Sequence, residues 1–306
     1  MKPLKRYLAA SLLLPLFLAG CIREDRSDCP EGLRIYFNYE TATYAGEGIN
    51  PAEVEKIALF VFDAQGLFHS VWTDSNPRLS PDYYMAIPDL PVGNYRFIAW
   101  AGYRDCYVIS PVDLIPGRTT FDEMRLSVVC LSGRLEGSSE YEPLFGADKM
   151  DYVRNQTRLQ RIDLLLRPTY NTINITTEGL PASGETYRFT IYDNWDGVYK
   201  LDCSFAAGGD MQYTTPCDKN TGGQLSASLR ILRLAAASRQ PILEIYNVTQ
   251  ERALYRADLI ELINRMGYIN YETTYVYNVH IKFSTDMTAI VFINGWQVTE
   301  WTTMPH

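Results

Sequence analysis

The chain has 306 residues, a formal net charge of −8, 46% hydrophobic residues, 22 tyrosines and three histidines. The acid excess lacks the cationic face that a sequence-independent nucleic-acid binder needs, and three histidines leave little imidazole for a catalytic triad or metal centre. Beyond the first segment, no run approaches the roughly 18–20 apolar residues of a membrane-spanning helix.

That first segment reads as an export signal. Lys2, Lys5 and Arg6 precede Leu8 to Ala19, which is apolar apart from Ser11 and Pro15, and small residues follow. Leu18-Ala19-Gly20-Cys21 then has the form of a bacterial lipobox, in which the Cys thiol takes up a diacylglycerol and cleavage frees the Cys amine for further acylation. Residues 1–20 are expected to be removed, leaving Cys21 as the lipidated first residue. Each buried methylene contributes about 0.8 kcal/mol, so two or three acyl chains hold a protein at a membrane where one does so marginally. Losing three cations and no anions leaves 25 Lys+Arg against 36 Asp+Glu, a formal balance of −11. The 286 remaining residues suit two domains at roughly 100–200 residues each.

The remaining five cysteines enter an oxidising compartment, where bridges are expected. Cys203 and Cys217 flank a Gly-containing turn and are placed to close a small loop. Cys29, Cys106 and Cys130 all lie in the first half, where two of the three can pair. No Cys-x-x-Cys or nearby His supports zinc.

Strands dominate the rest. In GLRIYFNYE, Leu33, Ile35, Phe37 and Tyr39 alternate with Arg34, Tyr36, Asn38 and Glu40, the period of a half-buried strand. A short helix is predicted near Pro51-Ala52-Glu53. IALFVFD (57–63) is apolar on both faces, as a central strand is, and Asp63-Ala64-Gln65-Gly66 turns it into LFHSVW as a hairpin. Further strands are predicted over 94–103, 124–131, 161–167, 171–178, 186–193, 241–248, 274–283 and 287–295, with an irregular acidic segment, SSEYEPLFGADKMDYV, before a boundary at 155–160. Helical periodicity is convincing once, in ADLIELINRMG, where Leu259, Ile260, Leu262, Ile263 and Met266 share a face and Gly267 closes the end. FVFDAQGLF and LPVGNYRFIAWAG have faint echoes in FTIYDNWDGVY and LPASGETYRF, in reversed order.

Chemistry is sparse. His280 shares the polar face of its strand with Asn278 and Lys282, His69 follows a hairpin turn, and His306 is terminal. There is no Gly-x-Ser-x-Gly elbow, P-loop or dinucleotide fingerprint. Glu140, Glu142, Asp148 and Asp151 match no EF-hand spacing. No enzyme, cofactor or metal site is expected.

CIREDRSDCPEGLRIYFNYE, with Cys21, a charged spacer, Cys29-Pro30 and the strand from Gly32, resembles the start of the FimB-like fimbrial anchor lipoproteins of Gram-negative gut and oral anaerobes. FVFDAQGLF, LPVGNYRFIAWAG, EPLFGADK, LLLRPTYNTINITTEGLP and INGW extend the resemblance over most of the chain. It implies an all-β fold of two tandem transthyretin-like β-sandwich domains with one or two short helices: a tether over 21–29, one domain over 30–156 and another over 157–306. It also implies a non-enzymatic, surface-exposed outer-membrane lipoprotein that anchors a fimbria, limits its elongation and binds the stalk subunit by strand complementation. On that reading Glu24 and Asp25 belong to a surface-sorting signal and Cys29 staples the start of the fold. The alternative function on the same architecture is a tip adhesin or a glycan-binding surface lipoprotein.

Overall fold

The computed structural model describes residues 31–299 except 40–48, 103–106, 129–133, 137–142, 148–149, 157, 181–183, 196, 207–208, 217, 220–223, 236–238 and 268; of 134–136, 216 and 218–219 it describes the backbone alone. The described residues form four sheets and one α-helix. The largest sheet runs β3 (Phe68–Asp74), β2 (Lys56–Asp63), β5 (Gly93–Gly102), β9 (Leu144–Ala147), β11 (Gln160–Pro168), β1 (Leu33–Tyr39) and β4 (Tyr84–Ile87), and β10 (Met150–Arg154) also pairs with β5.

A six-stranded sheet orders β16 (Asp218–Lys219), β17 (Leu225–Leu232), β12 (Tyr170–Glu178), β20 (Val276–Phe283), β21 (Ala289–Ile293) and β22 (Trp296–Gln297). A five-stranded sheet orders β19 (Arg252–Asp258), β18 (Ile242–Asn247), β13 (Tyr187–Asp193), β15 (Met211–Pro216) and β8 (Arg134–Glu136). Three short strands, β14 (Val198–Lys200), β7 (Arg125–Val128) and β6 (Tyr107–Ser110), make the last sheet.

Alternation in the sequence sets the faces. Leu33, Ile35 and Phe37 of β1 are buried while Asn38 is exposed, and Val279, Ile281 and Phe283 of β20 are buried beside exposed Asn278 and Lys282. β2 is buried from Ile57 through Phe62, as its continuous apolar run predicts. The β2–β3 turn is held by Asp63, whose Oδ1 accepts from Gln65 N and Leu67 N at 2.9 Å each, with Gly66 at φ +76°. At the other end of the chain, Asn294 (φ +50°) and Gly295 (φ +84°) supply the left-handed pair that a two-residue hairpin turn demands between β21 and β22.

The helix, α1 (Leu259–Asn264), is shorter than its sequence pattern. Asp258 caps it by accepting from Ile260 N and Glu261 N at 2.8 and 3.1 Å, and Leu259, Ile260, Leu262 and Ile263 are buried. The Ala257-Asp258 start belongs instead to β19, whose pairing with β18 runs to Asp258. The turn at Pro51–Glu53 is a single 3-10 turn capped by Asn50. Part of the segment read as irregular is ordered: β9 is buried at all four positions between β5 and β11. An apolar run of four is too short to reveal its period.

The first and last long strands of each half run parallel and side by side. β1 pairs with β11 in seven register positions, Leu33 opposite Gln160 through Tyr39 opposite Leu166. β12 pairs with β20 in seven, Thr172 opposite Val276 through Glu178 opposite Lys282. β11 and β12 are separated by Thr169 alone, so the chain passes from the first sheet to the second there. Of the echoes in the sequence, FVFDAQGLF lies at the end of β2 and FTIYDNWDGVY on β13, while LPVGNYRFIAWAG lies on β5 and the Tyr187-Arg188-Phe189 of its counterpart also on β13.

The halves are also stitched across. β7 of the first half pairs with β14 of the second, and β8 pairs in parallel with β15. Trp100 Nε1 donates to Leu201 O at 2.9 Å, and Tyr199 Oη donates to Thr169 O at 2.8 Å. Buried residues of both halves form one contiguous apolar cluster.

Candidate anchoring face

The described chain starts where the expected tether ends. Glu31 bridges to Arg158, Gln160 N donates to Gly32 O at 3.1 Å, and β1 begins at Leu33. Gly32 has φ +106°, and a Cβ there would stand 2.8 Å from Ile87 O and 3.0 Å from Pro88 Cα. Only glycine fits this joint without moving backbone. The backbone entering β1 is therefore held at a fixed point between β11 and β4. Cys21, Glu24 and Asp25 lie outside the described residues.

β1 occupies a slot inside its own sheet, with β11 on one side and β4, Leu33 opposite Ile87 through Tyr36 opposite Tyr84, on the other. Its inward side chains are 0–2% exposed, and Phe37 meets the Tyr83 ring at 6.0 Å. Fully burying side chains of this size contributes about 1.5–3 kcal/mol each. Tyr83 Oη donates to Asp74 at 2.8 Å, and burial together with that carboxylate pushes its pKa far above the usual phenol value.

On the outer face, a cationic and aromatic ladder crosses the same three strands. The Arg161 guanidinium stands 3.8 Å from the Tyr36 ring centre, the Tyr36 and Tyr84 rings are 5.4 Å apart, and Arg34 lies 4.6 Å over Tyr84. Asp163 holds Arg161 through bonds of 2.6–3.1 Å and accepts from Asn38 at 3.2 Å. The bonds from Arg161, then Asn38, keep the Asp163 carboxyl below its usual value. The sequence put Arg34, Tyr36 and Asn38 on one face, but β4 and the ladder's partners were missed; a four-residue strand carries no periodic signal.

Two of the histidines, His69 and His280, lie among the described residues, and His306 lies outside them. His280 Nδ1 is 2.8 Å from Thr176 Oγ1 and its Nε2 is 3.3 Å from Glu178, which also meets Lys282 at 3.4 Å and Gln224 at 2.9 Å. This hydroxyl–imidazole–carboxylate line crosses an open strand face, and its carboxylate is shared with two other donors. His69 contacts Ser70 at 3.1 Å. An open cleft of roughly 540 Å³ beside Pro51 and Leu79 is bordered by Glu55, Asn76 and Arg78. Among the described residues, no three His, Cys, Asp or Glu side chains cluster as metal ligands, and no helix is long and apolar enough to cross a membrane. Asp151 instead pairs with Arg96 at 2.7 Å.

Of the cysteines, Cys203 is half-buried at φ +65°, its Sγ 3.7 Å from Ala147 O and packed so closely over Gly146 that a Cβ there would collide with it. Cys29, Cys106, Cys130 and Cys217 fall outside the described residues.

The profile of the fimbrillin-A associated anchor proteins Mfa1 and Mfa2 matches residues 26–301. The minor fimbrium anchoring subunit Mfa2 of Porphyromonas gingivalis is 23% identical over 301 residues, covering 92% of this chain and 90% of that one. The solved fimbrial anchor protein Mfa2 of the same organism superposes with a TM-score of 0.65 at 22% identity, over 89% of this chain and 100% of the other. A proposed polysaccharide-binding protein of Bacteroides thetaiotaomicron reaches 0.73 at 20% identity over 89% and 98%. A proposed adhesin of Bacteroides ovatus reaches 0.71 at 17% over 90% and 96%. At these identities the structural likenesses establish a shared fold.

Proposed function

Because the chain belongs to the fimbrillin-A associated anchor proteins, we propose that it is a lipoprotein, acylated at Cys21 and displayed on the outer membrane, that holds the base of a fimbria. The observation that carries this reading is β1. It starts directly after the tether, is captured between β11 and β4, and fills its slot with Leu33, Ile35 and Phe37. A subunit whose first sheet is completed by its own leading strand offers no vacancy there to another chain's strand, so growth ends at it. The stalk subunit engages elsewhere by strand addition, with main-chain bonds giving affinity and alternating side chains giving register.

The strand pairings support two tandem transthyretin-like units, each opened and closed by a parallel pair. On those pairings the division expected at 156/157 is better drawn at Thr169, since β11 pairs with β1 and β12 with β20. Glu24 and Asp25 remain the proposed surface-sorting residues.

The test compares wild-type cells with Cys21→Ala cells by electron microscopy of cells and medium. Filaments shed into the medium by the variant and retained by wild type support the anchor. Filaments kept on the variant cells refute it. Filaments absent from both, with binding of the purified protein to immobilised glycan, turn the reading toward the adhesin seen among structural neighbours.

A further inference from the structure

We infer that the two parallel strand pairs, β1–β11 and β12–β20, are load-bearing clamps in series that carry tension from the fimbria to the membrane. This rests on the anchor reading for the direction of load, with the membrane at the N-terminal end, and takes the fimbria to bear on the second half.

The geometry follows from chain direction. A pull toward the membrane draws on Gly32, at the start of β1. A pull toward the fimbria reaches β11 through Thr169, at its end, because Pro168 leads directly into the second half. The two strands run parallel, so the opposed forces act at opposite ends of neighbouring strands and lie along them. In a parallel pair the evenly spaced bonds run slantwise from strand to strand, so a load along the strands shears all seven register positions together. Had the last strand run antiparallel, the same pull would have separated the pair from one end, one bond at a time.

The second half repeats the arrangement. Its load enters β12 from Thr169, and β20 runs parallel across seven positions before the chain continues to β21. Side chains reinforce both pairs. Arg161 over Tyr36 at 3.8 Å and Asn38 to Asp163 at 3.2 Å join β11 to β1. Asn174 to Asn278 at 3.0 Å and Thr176 to His280 at 2.8 Å join β12 to β20. β4 adds four antiparallel positions to the other edge of β1, also loaded lengthwise. The contacts between halves, Trp100 to Leu201 and β7 to β14, keep the second clamp from swinging out of line with the first.

The test needs no lipid. The purified chain from Ile22 to His306 is stretched in a single-molecule instrument in two ways: between its termini, and between its N-terminus and a handle coupled at Arg158, which the Glu31 bridge places beside the start of β1. End-to-end loading should require a rupture force several-fold above the second geometry, which peels β1 from β11. Equal forces in the two geometries would overturn the clamp. A second measurement uses Asn38→Pro. Gly32 O points to β11, so by backbone alternation the N–H of residue 38 does too, and proline removes it. The variant should lower the end-to-end force several-fold more than the peeling force; an equal loss in both, with native circular dichroism, also overturns the proposal. If filaments stay on Cys21→Ala cells while the two forces differ, the anchor reading fails and the clamp stands.

Discussion

The Arg161 guanidinium lies 3.8 Å from the centre of the Tyr36 ring, joining residues 125 positions apart across the parallel β1–β11 pair. Tyr36 also meets Tyr84 of β4, so one ring ties three strands together. Cross-strand pairs of this kind contribute about 0.2–1 kcal/mol each. Tyr36→Ala should lower the urea midpoint by an amount equivalent to about 1 kcal/mol, with an unchanged slope.

Gly32→Ala should cost more despite adding one methyl group. A left-handed backbone is strained for alanine, and the new Cβ meets Ile87 O at 2.8 Å. Strain of this type costs about 1–3 kcal/mol. Thermal unfolding of the purified variant measures it, and a midpoint equal to wild type would contradict the tight joint.

In the second half, Arg239 and Asp193 form an ion pair with side chains 2% and 0% exposed, and Arg239 lies 5.1 Å over the Trp195 ring. Its guanidinium also donates to Leu232 O and Arg233 O. Removing one partner of such a pair leaves a buried charge and costs about 3–5 kcal/mol. Arg239→Ala should therefore fall well below wild type in a denaturant series, while the double variant Asp193→Leu/Arg239→Met should recover part of the loss.

Glu185 supplies a pH dependence. Its carboxylate accepts from Tyr187 Oη at 2.7 Å and Asn247 Nδ2 at 2.7 Å, and these bonds, Tyr187 first, lower its pKa from the ordinary 4.5. A lowered folded-state value means that the unfolded chain binds the proton more readily. The contribution is thus fully present above 4.5 and disappears as pH falls through the lower folded value. Glu185→Gln should flatten the acid limb of a stability–pH curve in that window; an unchanged limb would reject this assignment.

Peptide mapping without reductant should link Cys203 to Cys217 and join two of Cys29, Cys106 and Cys130. Free thiols throughout would remove both bridges.

What the sequence disclosed depended on range. Leu33, Ile35 and Phe37 declared their face by alternation, Asp63 and Gly66 declared a hairpin, and Asn278, His280 and Lys282 were grouped correctly. Each of these signals lies within a few residues. The partners did not: β1 lies against β11 and β12 against β20, and nothing local in either strand encodes a parallel neighbour more than a hundred residues away. Short strands escaped for another reason. Tyr84–Ile87 and Leu144–Ala147 span four residues each, and their order comes from the sheets that receive them. The family resemblance, carried by the stretch from Cys21 to Leu33 and by scattered strand motifs, named the family whose profile matches residues 26–301, which periodicity alone could not do.

β8 has a wider consequence. Although it precedes β9 in the chain, it hydrogen-bonds to β15, and β14 returns the exchange by joining β7. Each half thus lends a strand to the other. Recombination between related genes that exchanged one half alone would bring together edges that had not diverged in step, so the two halves are expected to be inherited as a block, with variation concentrated in the turns between them.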